Sequence, residues 1–165
     1  MSEVEAGASR KNRTIFLVIL ALFVLAWIGT TIFGFFIVDN VREAADRTDT
    51  DMRALAWASI VYACNNDGRF PSDDDELLSV DPLPESIACL PSTEGAWPTN
   101  REAALGGAST PDMALSLSRI VVHYSSDGTL PPAVDNNGLP TRLGTQDEIR
   151  EWLAAFDEEK SAFAK

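Results

Sequence analysis

The chain has 165 residues, 13 basic and 25 acidic, for a net charge of −12, a balance that argues against nucleic acid and anionic lipid head groups as partners. Two cysteines and one histidine are too few for a zinc set. The length suits one domain beside any anchoring segment.

Residues 14–38 run from Thr14 to Val38 without a charged side chain. A bilayer core needs about 20 apolar residues in a helix, and this run exceeds that. A removable signal peptide has a shorter apolar region, about 7–15 residues, ending at a small-x-small site. Here the run ends in Ile37, Val38 and Asp39, so an uncleaved anchor is the better reading. Arg10, Lys11 and Arg13 stand just before it, whereas Asp39, Glu43 and Asp46 outnumber Arg42 just after. Basic residues stay on the cytoplasmic side. The expectation is a single-pass protein of the cell membrane. Residues 1–13 are its cytoplasmic N-terminus, 14–38 its transmembrane helix and 39–165 its extracytoplasmic part.

No Pro or Gly interrupts residues 39–66. Val41, Ala45, Thr48, Met52, Leu55, Ser59 and Tyr62 recur every three or four positions, which defines one face of an amphipathic helix. The intervening Asp, Arg, Glu and Thr suit its wet face. Residues 39–68 are therefore read as an extracytoplasmic helix that prolongs the span, with Val41, Ala45, Met52, Leu55 and Ser59 as its packing face. Gly68 closes it as a left-handed C-terminal cap. Cys64 and Cys89 pair if the compartment is oxidising, a closure that contributes roughly 3 kcal/mol in the entropy model. The other reading is two small buried thiols.

Residues 69–165 make a small α+β ectodomain with short helices and a small antiparallel sheet. Ser72 is the expected N-cap of a helix through Ser79, with Asp73, Asp74, Asp75 and Glu76 in its first turn, where the helix dipole favours negative charge. Thr99 with Glu102 has the spacing of a capping box, closed by Gly106 and Gly107. Thr110 and Pro111 open another short helix. Arg119 to Ser125 is the best strand, with Ile120, Val122 and Tyr124 on one face. After the turn Ser126-Asp127-Gly128, residues 129–134 return beside it, Pro131 and Pro132 holding them to an edge. Thr145 and Glu148 cap the last helix, whose stripe is Ile149, Trp152, Leu153 and Phe156. The charged tail beyond Asp157 is expected to fray.

No catalytic constellation is visible. His123 has no motif around it, and the chain has no GxSxG, no HExxH and no phosphate-binding glycine loop. No cofactor is expected. Calcium is a minor alternative at Asp127, Asp135 and Asn137, where plain turns are the first reading because the EF-hand order is absent.

One arrangement is more specific. A membrane helix continues outward into Asp51-Met52-Arg53-Ala54-Leu55, then Tyr62, then Asn65-Asn66-Asp67-Gly68-Arg69-Phe70-Pro71. This resembles the major pseudopilin of type II secretion and related type IV pilin-like proteins, which carry a similar D-x-R…Y…N-G-R-[YF]-P run at the exit of the long helix. Gly95-Ala96-Trp97-Pro98-Thr99-Asn100 is similar to a W-P-T-N segment of some members, and Tyr124 to Gly128 resembles the strand and turn of their sheet. The resemblance implies a non-enzymatic structural or accessory part of a secretion or pilus-like system, self-associating through the long helix. In it Gly68, Phe70 and Pro71 form the helix exit, Phe70 packing back on the helix. The chain departs from the family in three places. Gly7 is followed by Ala8-Ser9-Arg10-Lys11, no Glu lies in the apolar run, and the C-terminal calcium loop has no counterpart. These departures favour the alternative, an anchored extracytoplasmic binding module that does not polymerise.

Overall fold

The computed structural model describes residues 3–87 and 96–163, with backbone alone for residues 3–12, 14 and 161–163. The fold is α+β. Helix α1 (Glu3–Asn65) is followed by α2 (Asp74–Leu78), α3 (Arg101–Leu105) and α4 (Met113–Arg119), then strands β1 (Val121–His123) and β2 (Ala133–Asp135), and finally α5 (Thr145–Phe163). Two compact units result, Met1–Arg42 and Glu43–Lys165, and α1 contributes to both.

In the first unit α1 carries the apolar run. Its large side chains, among them Phe16, Phe23, Trp27, Phe33 and Phe36, are exposed, and none of its most apolar window is buried. This is one helix long and apolar enough to cross a membrane. Thr30 and Thr31 donate their hydroxyls to the carbonyls of Ala26 and Trp27 at 2.9 and 2.8 Å. Their polar groups are thus met within the helix, as a hydrocarbon environment requires.

The second unit is built around the rest of α1. From Ala54 to Cys64 no residue is charged, and a helix without a polar face has to be surrounded. Met52, Leu55, Trp57, Ser59 and Ile60 are fully buried, and the small side chains of Ala54, Ala56, Ala58 and Ala63 are buried between them. Each large apolar side chain so enclosed contributes about 1.5–3 kcal/mol. The expected wet face is partly enclosed: Asp49 and Asp51 are buried, while Glu43 and Arg47 stay exposed. Ser59 is satisfied by donating to the Leu55 carbonyl at 2.9 Å.

Around α1 the short elements keep their expected order but shift at their ends. The N-cap of α2 is Asp73, not Ser72: Asp73 Oδ1 accepts from the Glu76 amide at 2.8 Å, while Ser72 donates its amide and hydroxyl to Glu76 Oε2. Likewise Asn100, not Thr99, caps α3 by accepting from the Ala103 amide at 2.8 Å, and Gly106 closes it with φ +61. Asp112 caps α4, two residues after Thr110. That helix runs through Arg119, where the Ile120 amide bonds to the Ser116 carbonyl at 2.9 Å, so β1 begins only at Val121. The sheet is antiparallel with Val122 opposite Val134. Ile120 and Val134 turn inward, and Val121 and His123 outward.

The last helix corrects two expectations. Glu148 does not serve Thr145; both its oxygens accept from Arg53 of α1, at 3.1 and 2.5 Å. The tail beyond Asp157 is helical as far as Phe163. Ile149, Trp152, Leu153 and Phe156 enter the core as their spacing predicts.

Candidate functional site

The residues singled out by the sequence converge on the end of α1. The left-handed C-cap is Asp67 (φ +54), and Gly68 follows at φ +80. The Gly68 amide bonds to the Ala63 carbonyl at 2.8 Å, the long bond of a Schellman ending. Asp is one of the few side-chain-bearing residues that tolerate this conformation. Phe70 and Pro71 then turn inward and are buried. The Phe70 ring meets the Phe156 ring edge-on at 5.8 Å, and its amide bonds to the Gly128 carbonyl at 2.9 Å. Gly128 cannot be replaced cheaply: at φ +66 a Cβ there would lie 2.4 Å from the Phe70 carbonyl oxygen.

Lys160 closes this exit from the far end of the chain. Its Nζ donates to the Gly68 carbonyl at 2.6 Å, stands 4.1 Å from the Phe70 ring centroid and pairs with Asp157 at 2.9 Å. One turn earlier Phe156 also takes the Trp97 ring edge-on at 5.1 Å, and Trp97 Nε1 donates to Glu159 at 3.1 Å. Of the W-P-T-N segment, Gly95 lies outside the described residues. Cys64, in the last turn of α1, is disulfide-bonded; Cys89 lies outside the described residues.

A second set of contacts fixes the first turns of the domain's α1. Asp51 accepts from Ser116 Oγ at 2.9 Å and Arg119 at 2.7 Å. Asp49 accepts the Arg142 amide at 3.0 Å, while the Arg142 side chain reaches Asp46 at 2.7 Å. Arg53 adds its pair with Glu148 and lies 5.1 Å over the Trp152 ring. Of the predicted packing face, Ala45, Met52, Leu55 and Ser59 are thus consumed inside their own domain, and Val41 is exposed.

Two carboxyls near the exit are strongly perturbed. Glu76 is held down at about 2 by the Ser72 amide first, with Arg69 and the Ser72 hydroxyl adding to it. Asp127 is also held at about 2, by the Ser125 hydroxyl and then the Thr129 amide and hydroxyl. Burial, with Asp74 as its 2.7 Å partner, pushes the Tyr124 hydroxyl up. These shifts mark structural ties. At the proposed calcium positions Asp127 Oδ1 accepts from Ser125 and Thr129, and Asp135 Oδ1 accepts from the Asn137 amide at 2.8 Å. Among the described residues no group of three His, Cys, Asp or Glu is arranged to hold a metal ion.

His123 sits on the rim of a groove of about 260 Å³ between β2 and α5, with Asp135, Gln146 and Arg150. Its floor is Val134, Ile149 and Leu153, and no Ser, Thr or Cys lines it among the described residues. Sequence reading missed Lys160, Glu159 and Arg142. A signal for the first did exist, because Lys160 follows Phe156 by four positions and so prolongs the apolar stripe of α5.

Comparison with protein-family models, with curated proteins and with solved structures finds no match.

Proposed function

We propose that the chain is a non-enzymatic, single-pass membrane protein whose extracytoplasmic domain is an interaction module that works as a monomer, an accessory to an envelope machine of the secretion or pilus-like kind. One observation carries the monomeric reading. Between Ala45 and Ala63 the side chains that would pack against a neighbouring subunit are buried in their own domain. The apolar surface that α1 does leave exposed, from Ile15 to Val41, is what the proposed membrane span takes up, and no continuous exposed apolar stripe follows it for a neighbouring subunit.

Orientation has two supports. Arg10, Lys11 and Arg13 precede the span, and an excess of basic residues on that side favours a cytoplasmic N-terminus. Cys64 is in a disulfide, a bond that persists in oxidising compartments outside the cytoplasm. The partner surface is acidic by elimination. Arg47, Arg53, Arg69, Arg101, Arg119, Arg142, Arg150 and Lys160 each pair with a carboxylate of this chain. That leaves no described cation of the unit beginning at Glu43 without a carboxylate partner, so a protein partner is expected and nucleic acid is not.

A subunit of a pseudopilin-like assembly is the second reading. It is favoured by the sequence of the exit, where Gly68, Phe70 and Pro71 follow directly on the end of α1. Chemical cross-linking of the full chain in its native membrane, followed by mass analysis, separates the two. Single chains, or one chain joined to a different protein, support the monomeric module. A ladder of self-linked multimers overturns it and restores the assembly subunit.

A further inference from the structure

We draw no further inference here: the strongest candidate, the groove between β2 and α5 rimmed by His123, Asp135, Gln146 and Arg150, carries nothing because its rim mixes both signs of charge and nothing in the structure shows what covers its apolar floor.

Discussion

Lys160 and Gly68 stand 92 positions apart in the chain and meet at 2.6 Å, ammonium to carbonyl. The final helix therefore fastens the exit of the first. The lysine side chain is only 15% exposed, so its hydrogen bond and its contact with the Phe70 ring act in a poorly solvated place.

Lys160→Met keeps the aliphatic stem and removes the donor. A hydrogen bond from a charged donor contributes about 1.5–3 kcal/mol, and the variant should lose about 2 kcal/mol. Urea unfolding of the full chain in detergent, followed by tryptophan fluorescence, gives the value. An unchanged midpoint would mean that the clamp adds no stability.

Gly128→Ala tests the other side of the same loop. The Cβ would meet a backbone oxygen at 2.4 Å, and neither that atom nor a φ of +66 can give way cheaply. A loss of about 2–3 kcal/mol is expected from strain of this size. Gly138→Ala is the control: its φ is +74, but a Cβ there meets nothing within 4 Å, so it should cost only the strain of the left-handed backbone. Equal costs at the two sites would show that the close approach to Phe70 is not what demands glycine.

Glu76 ties stability to pH. Its carboxyl is held at about 2 against an ordinary 4.5, so unfolding makes it take up a proton below that ordinary value. Its contribution is present above 4.5 and disappears as the pH falls from 4.5 to 2. Asp127, lowered from 3.8 to about 2, acts in the same direction. Glu76→Gln should therefore be less stable than the parent near neutrality, with the gap narrowing through this window. Denaturation midpoints at neutral and acid pH check it, and a gap of constant size would assign the loss to shape rather than charge.

The long helix and its apolar first half were legible because both depend on local patterns: an absence of charge in residues 14–38, an absence of Gly and Pro in residues 39–66, and a three-to-four-residue period. The enclosure of α1 was half legible. The uncharged stretch from Ala54 to Cys64 signals a helix buried all round, but Asp49 and Asp51 look like a solvated face until their partners are known. Ser116 and Arg119 lie 65 and 68 positions from Asp51, and nothing local points to them. The caps were displaced by one residue, Ser72 to Asp73 and Thr99 to Asn100, because two competent capping residues stand side by side. The fraying tail failed for a related reason: Glu159 and Lys160 find Trp97 and Gly68 only once the chain has folded.

The Asp51 contacts give a fourth test. Its side chain is 5% exposed and Arg119 is 26% exposed. Removing one partner of a fully enclosed ion pair costs roughly 3–5 kcal/mol. Asp51→Ala should fall below that, about 2–3 kcal/mol, because the guanidinium keeps some water. Ser116→Ala should cost about 1.5–2 kcal/mol, a single neutral-to-charged hydrogen bond with little packing change. The double variant should cost less than the two together, since Ser116 acts on the same carboxylate. Strict additivity in the urea series would remove Asp51 from the centre of this network.

Two buried tryptophans make opposite demands on the same substitution. Trp57 is fully enclosed, and among the described residues its Nε1 has no hydrogen-bond partner, so its folded state already carries the cost of a dry N–H group. Trp97 is almost as buried, but its Nε1 donates to Glu159 at 3.1 Å. Changing either to Phe removes similar volume and opens a similar space. At position 57 the change also removes an unmet donor, which offsets part of the packing loss. At position 97 it breaks a bond to a carboxylate and loosens α5 just where Lys160 closes the exit. Trp97→Phe should therefore be the more destabilising by about 1–2 kcal/mol. Urea midpoints of the two variants decide it. If Trp57→Phe is the costlier, the indole N–H of Trp57 has found an acceptor in the folded protein, and the interior of α1 is wetter than its side chains suggest.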